Sequence, residues 1–335
     1  MNRILIRLAL GTLVLMIGAG YWACSRGDHG PAAKPEKVTI ACATPPYTVL
    51  VDIAVAKGYF GQEGLEITPR FYSTGKEALE ELLAGRADFA TVAETPIMFA
   101  VLSGSKISII ATIQSSDKTN AIVARKDKGI HLLQDLKGKR VAASMGTMSE
   151  YFMHVSLATH GVAGTDVKVT NLKPEEMPQA LTNGEIDAAS MFLPFQIQAQ
   201  QMLGDKGIIF YEKDIYTQTF NLIAVQDYAK KNPVIIKKAL LALLKAGEFA
   251  RNYPAEAQKV VSDFRQIDKT VLAAAWPIHT FDVSLDQSLL LALEDESDWA
   301  IKNKLTGATK APNYLECIYF DGLQRVKPDA VRIVR

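Results

Sequence analysis

LLAGRADFATVAETP, from Leu82 to Pro96, and LTNGEIDAASMFLP, from Leu181 to Pro194, can be laid over one another. Each reads as a helix end, a glycine, an aspartate, an apolar run of strand length and then a proline. Gly85 and Gly184 suit the left-handed residue that closes a helix. Asp88 and Asp187 suit the turn into the strand. Pro96 and Pro194 suit the first turn of the next helix. Any protein of alternating strands and helices repeats some of this punctuation. Two copies at matching places in two strand–helix series argue for two similar lobes.

The flanking sequence alternates in the same way. KVTIACA reads as a strand, YTVLVDIAVAKGY as a helix, LEITPRFY as a strand and GKEALEELLAG as a helix. ADFATVA, PIMFAVLSG and ISIIATIQ continue the series, which restarts with RVAASM, SEYFMHVSLATHG, DVKVTNL, EEMPQALTNG, IDAASMFL and FQIQAQQML. Apolar runs of strand length separated by helix-period segments predict an α/β fold with mostly parallel sheets and crossover helices. The expectation is two Rossmann-like lobes.

The 335 residues are enough for two domains. Lys plus Arg number 37 and Asp plus Glu 36, so no basic surface for nucleic acid or anionic lipid is indicated. The N-terminus is a separate object. Arg3 and Arg7 precede an apolar run from Leu8 to Ala23, the layout of an export signal. Cys24 follows directly and resembles the acceptor cysteine of bacterial lipoproteins, although Tyr21 and Trp22 stand where that motif has smaller residues. SRGDHGPAAKPEK then reads as a polar tether. Cys42 and Cys317 remain; export permits a bridge between them, and burial as free thiols is the plainer reading.

AVAKGYF, GLEI, LLAGRADFA, DLKGKRVA, GTMSEYF, ALTNGEIDA and PNYLECIYFDGL, in that order, resemble the periplasmic substrate-binding proteins of ABC importers. The similar group is the one covering nitrate, alkanesulfonate, taurine and thiamine precursors. The resemblance spans Lys37 to Arg335. It implies two lobes joined by two hinge strands, with the ligand cleft between them. TNAIVAR (Thr119 to Arg125) and TQTFNLIAV (Thr217 to Val225) fall where the hinges would lie. The implied organisation is residues 1–23 signal, 24–36 tether, 37–120 with 220–335 lobe one, and 121–219 lobe two. The helical segments after Asp227 would pack on the outside of lobe one. The implied function is solute capture and delivery to a permease in the inner membrane, by a monomer without a cofactor.

In open α/β sheets ligands bind beyond the carboxyl ends of the strands. In lobe one this selects Thr44, Pro45 and Tyr47 in TPPY, Ser73, Thr74 and Gly75 in YSTG, Glu94 and Thr95 in AETP, and Gln114. In lobe two it selects Gly146, Thr147, Met148 and Ser149 in GTMS, then Phe192 and Pro194 in MFLP; Asn221, in the second hinge segment, completes the set. Thr147 and Glu150 have capping-box spacing, with Thr147 accepting from the Glu150 amide and Glu150 reaching back. The same helix start, with free N–H groups and the positive dipole end, suits an anion. None of these loops contains Lys or Arg.

Glu94 has two readings: a cap for the helix at Thr95 and Pro96, or a partner for an ammonium or ring N–H on the ligand. Tyr47, Tyr72, Phe192 and Phe195 could be core or could wall an organic molecule. An alkanesulfonate or taurine-like solute fits the anion site and the aromatic walls together; a heterocycle such as a thiamine pyrimidine precursor is the alternative. Short metal spacings, a nucleophile elbow, a P-loop and C-x-x-C are all absent from the sequence. Enzymes of the same fold, pyrimidine-precursor synthases and menaquinone-pathway lyases, are the rival from another class.

Overall fold

Asp88 and Asp187 make the same hydrogen-bonded ring in two places. Asp88 Oδ2 accepts the Thr39 backbone N–H at 2.8 Å, and the Asp88 N–H donates to the Thr39 carbonyl at 2.9 Å. Asp187 Oδ2 accepts the Arg140 N–H at 2.9 Å, and its own N–H donates to the Arg140 carbonyl at 2.9 Å. Each ring sets the register of the strand that follows, which pairs Ile40 with Phe89 and Val141 with Ala188. Gly85 and Gly184, at φ 71° and 76°, close the helices just before.

The computed structural model describes residues 34–44, 46–212 and 215–334. The expected signal and the Cys24 lipid site lie outside the described residues, as does most of the tether. Its last residue, Glu36, already opens the first strand. Among the described residues no helix is long and apolar enough to cross a membrane.

Ten strands form two five-stranded sheets. The first contains β1 (Glu36–Cys42), β2 (Leu65–Phe71), β3 (Phe89–Ala93), β4 (Ile107–Ser116) and β10 (Gln218–Val225), in the order β2-β1-β3-β10-β4. The second contains β5 (Asn120–Arg125), β6 (Arg140–Ala143), β7 (Lys168–Asn171), β8 (Ala188–Phe192) and β9 (Gly207–Phe210), in the order β7-β6-β8-β5-β9. In both, the three strands at one side are parallel and the fourth runs antiparallel to its two neighbours. This is the expected α/β pair of mostly parallel sheets. β9 was not foreseen, because GIIF is too short to separate from the preceding helix by periodicity.

The chain passes from the first sheet to the second between Ser116 and Asn120, and returns between Phe210 and Gln218. The two segments expected as hinges are therefore the strands at the far side of each crossing. Both lie inside their sheets, next to the edge strand, and each supplies the antiparallel strand of its sheet. Three helices follow strands of the first sheet: α1 (Val49–Ala56), α2 (Gly75–Leu83) and α3 (Glu94–Leu102). Three belong to the second: α4 (Met148–Thr159), α5 (Met177–Asn183) and α6 (Phe195–Leu203). Pro96 is the third residue of α3, and Pro194 precedes α6, so each proline sits within two residues of the expected position.

After β10 come α7 (Pro233–Asn252), α8 (Pro254–Arg265) and α9 (Gln287–Lys302). Leu240, Leu243 and Ala246 of α7, Val261 of α8 and Leu289 and Leu293 of α9 join the apolar core built on the first sheet. Ile122, Val141, Phe152 and Leu157 belong to a separate core on the second. Each completely buried Leu or Ile contributes about 1.5–3 kcal/mol through apolar burial. Cys42 and Cys317 are both buried and unbridged.

Candidate functional site

Two helix starts face one another where the carboxyl ends of the two sheets meet. In the first, Thr74 caps α2: its hydroxyl accepts the Glu77 N–H at 3.1 Å, and Glu77 Oε2 accepts the Thr74 N–H at 3.2 Å. This reciprocal box leaves the amides of the first helical residues directed at the cleft. Gly75 is required there by space. A Cβ at that position would lie 3.0 Å from Phe220 Cζ and 3.1 Å from Val92 Cα. Lys76 follows on the exposed side.

The second start, at α4, is built differently from expectation. The Thr147 hydroxyl accepts from the Ser149 N–H at 3.2 Å rather than from Glu150, and donates to the Ser144 carbonyl at 2.7 Å. Glu150 Oε2 accepts the Gly146 N–H at 2.7 Å. The turn at Gly146, with φ 74°, brings that amide to the carboxylate ahead of the Thr147 amide. Burial raises the Glu150 pKa; the Gly146 N–H and the Lys76 charge pull against it.

Between the two starts lies a cavity of about 20 Å³, room for one water molecule. Ser73, Thr74, Gly75 and Lys76 line it from one half, Thr147, Met148 and Phe192 from the other. Tyr47, Phe220, Ala43, Ala93 and Pro96 complete the wall. Tyr47 and Phe220 are stacked with centroids 5.0 Å apart, and Phe192 meets Tyr47 edge-on at 6.1 Å. The Tyr47 hydroxyl donates to the Leu193 carbonyl at 3.1 Å, tying the two halves together. Lys76 Nζ makes a second tie, donating to the Met145 carbonyl at 3.0 Å. Two positive helix ends and a lysine thus converge on a cavity with aromatic walls.

Seven of the expected residues (Tyr47, Ser73, Thr74, Gly75, Thr147, Met148 and Phe192) line this cavity. Others are committed elsewhere. The Ser149 hydroxyl accepts the Ser144 N–H at 3.1 Å and donates to the Ser190 carbonyl at 2.8 Å, a buried bond set that joins α4 to β8. Asn221 is buried against Val92, Thr112 and Thr219. It alternates with Phe220 along β10, so only one of the two can face the cleft, and Phe220 does. Gln114 pairs with Phe220 in register but is buried away from the cavity wall. The Thr44 hydroxyl donates to the Tyr72 carbonyl at 3.2 Å. Gly146 lies on the outer rim beside Lys76 and Glu150. Pro194 stands behind Phe192 at the start of α6. Pro45 lies outside the described residues.

Glu94 follows neither of its readings. Fully buried, it accepts the Thr219 N–H at 2.7 Å and the Thr219 hydroxyl at 2.8 Å, binding the start of α3 to β10. Thr95 turns to α9 and donates to Glu296 Oε1 at 3.1 Å. Lys76 also lines the cavity although it lies one residue beyond the YSTG loop. Phe220, the neighbour of the expected Asn221, lines it too, and period-2 alternation alone does not say which of the two faces the cleft.

The model of the family described as NMT1/THI5 like matches residues 46–257. The chain belongs to this family. A putative aliphatic sulfonates-binding protein of Bacillus subtilis (strain 168) is 26% identical over 264 residues, 78% of this chain and 79% of the relative. The taurine-binding periplasmic protein of Escherichia coli (strain K12) is 25% identical over 211 residues, 61% of this chain and 63% of the relative. In three dimensions the chain is similar to the alkanesulfonate-binding protein SsuA from Xanthomonas axonopodis pv. citri bound to MOPS. The TM-score is 0.73 at 18% identity, covering 86% of this chain and 99% of the other. This NMT1/THI5-like chain therefore has the periplasmic binding protein fold implied by the resemblance. These relatives carry the names of binding proteins rather than enzymes. Among the described residues no group of three or more His, Cys, Asp or Glu could hold a metal ion.

Proposed function

We propose that the chain is an exported solute-binding protein that captures a small organic anion or zwitterion, of the alkanesulfonate or taurine kind, and delivers it to an ABC permease. Residues 37–120 with 220–335 form one jaw and residues 121–219 the other. The observation that carries this reading is the convergence of Lys76 and the two helix starts, Thr74–Gly75 and Thr147–Met148, on one aromatic-walled cavity. An anionic head accepts the free amides and the lysine ammonium, and a short organic tail meets Tyr47, Phe192 and Phe220. Charge-assisted bonds contribute about 1.5–3 kcal/mol each, and a helix terminus about 0.3–2. Three such contacts approach the roughly −8 kcal/mol of micromolar affinity.

The cavity as it stands has room for one water only, so a sulfonate enters only when the jaws part. Contacts from both jaws then draw the population back to the closed form. The permease reads that closed surface. Residues 1–23 direct export, and Cys24 carries the lipid that anchors residues 24–36 to the membrane; the mass of the mature protein checks this.

Isothermal titration with ethanesulfonate, taurine, nitrate and an aminopyrimidine tests the solute class. Micromolar affinity for the two sulfonates, with weaker nitrate binding, supports it. Binding of the aminopyrimidine alone would transfer the assignment to a heterocycle.

A further inference from the structure

Behind the start of α3 the fold buries two carboxyl groups together. Glu94 Oε2 is held by Thr219, and Glu296 Oε1, on α9, by the Thr95 hydroxyl. The remaining oxygens, Glu94 Oε1 and Glu296 Oε2, are sealed from solvent and have no hydrogen-bond partner among the described residues. Both side chains are fully buried. The charges that act on Glu296 are those of Glu94 and Asp295, both negative. Two ionised carboxylates cannot persist in such a place, because neither solvation nor a counter-ion offsets their repulsion. Burial first, and Glu94's neighbouring charge second, push Glu296 up; burial raises Glu94 to about 7. Two groups in this relation titrate as a unit that holds one proton.

The other jaw reaches the same helix as Glu296 through its neighbour Trp299. Tyr151, on α4, packs edge-on against Trp299 of α9 at 5.2 Å and against Tyr216 of the return crossing at 5.1 Å. Burial raises its hydroxyl pKa, and the nearby charges of Glu296, Asp295 and Glu94 raise it further. The other titratable groups around the pair are Tyr314, which feels Glu296, and His154. His154 sits on Trp299 with its pKa lowered by burial. Among the described residues none of these groups gives the two glutamates a cation.

We propose that Glu94 and Glu296 share one proton while the jaws are closed, and that opening lifts Tyr151 from Trp299 and releases it, so that solute capture takes up a proton. The coupling rests on the opening and closing argued above; the shared proton does not. In the open form the hydrated pair returns toward the ordinary carboxylate range. Between that range and the closed-state value, the closed form binds the extra proton, and closing weakens about tenfold for each unit rise in pH.

The test uses ligand-free protein. Infrared difference spectra should show the C=O band of a protonated buried carboxylic acid near neutral pH, shifted to a lower midpoint by Glu94→Gln, which takes away the neighbouring charge on Glu296, and removed only when Glu94→Gln and Glu296→Gln are combined. Small-angle scattering should show expansion as pH rises from the ordinary carboxylate range toward about 7 and no further change above it, an expansion that Glu94→Gln combined with Glu296→Gln abolishes. Tyr151→Ala leaves both carboxyls in place, and should move the midpoint of the infrared band to lower pH even if the glutamate variants fold poorly. Absence of the band, an unmoved midpoint in Tyr151→Ala, or dimensions constant with pH would each overturn the proposal. None of these readouts depends on which solute binds, so the solute assignment stands or falls separately.

Discussion

Lys76 Nζ lies 3.0 Å from the carbonyl oxygen of Met145, a bond made from the first turn of α2 to the turn before α4. The two residues belong to different halves and are brought together only where the helix starts meet. Lys76 lines both the inner cavity and the outer groove. It can serve as countercharge to a bound anion and as a tie across the closed cleft. Lys76→Met removes the charge and keeps the stem. Affinity for ethanesulfonate should fall by about ten- to a hundredfold, the equivalent of one charge-assisted bond of about 1.5–3 kcal/mol. Stability without ligand should stay within about 0.5 kcal/mol, since Lys76 is exposed. Unchanged affinity in isothermal titration would remove Lys76 from the site.

Gly75 is next to it and works by absence of a side chain. An added methyl would meet Phe220, Val92 and the Ala93 amide at 3.0, 3.1 and 3.3 Å. Val92 and Ala93 present backbone and cannot swing aside. Gly75→Ala should cost about 1–3 kcal/mol through overpacking, read from the midpoint of urea unfolding. Ser73→Ala, at an exposed position two residues earlier, serves as the neutral control. Equal midpoints for the two variants would show that the α2 start has slack.

How much of this was written in the sequence differs between fold and site. The helix-end glycines and the strand-start aspartates are local signals, and they located both lobes because each acts on backbone within a few residues. The capping box expected at Thr147 and Glu150 follows the same local rule, yet the box forms at Thr74 and Glu77, which have the same spacing. What decides between them is the conformation of the turn before the helix, and spacing does not encode it. Asn221 and Ser149 failed for a related reason. Asn221 lies within β10 and Ser149 at the start of α4, but the direction of each side chain depends on which face the second half of the molecule covers. Lys76 and the buried Glu94–Glu296 pair depend on residues 69 and 202 positions apart being folded together, and no window along the chain contains them.

The aspartate rings should matter to similar degrees in the two halves, with one difference. Asp187 also holds the Arg140 guanidinium, at 2.7 Å to Nη2 and 3.1 Å to Nε. Asp88→Ala leaves the Thr39 N–H without its acceptor and should cost about 1–3 kcal/mol. Asp187→Ala loses the equivalent bond and the ion pair, and should cost more. The Arg140 hydrogen bonds lower the Asp187 pKa against the opposing effect of burial. Its ionised form therefore stabilises the fold fully above the ordinary aspartate range, and that contribution is lost as pH falls through the depressed native value. Urea unfolding at neutral and strongly acid pH should show Asp187→Ala converging on the parent chain at the acid end. A constant gap would show that the ring acts without its charge.

His279 supplies the opposite test, at milder pH. Its ring accepts the Thr119 hydroxyl at Nε2, 2.8 Å away, and donates from Nδ1 to the Ala275 carbonyl at 2.6 Å. Thr119 is in the first crossing between sheets, and the ring also touches Tyr47 and Phe281. Burial lowers the His279 pKa to about 4, with the Ala275 carbonyl resisting. In the unfolded chain the same group titrates near 6.5. Between those values the unfolded state binds the extra proton, so stability falls as pH drops from about 6.5 to about 4, by on the order of 3 kcal/mol. The loss is complete only once the native ring itself protonates. His279→Asn does not titrate in this range and should flatten that slope while lowering stability at neutral pH. Denaturation midpoints measured across the interval decide the matter: a slope equal to that of the parent chain would place the acid sensitivity elsewhere.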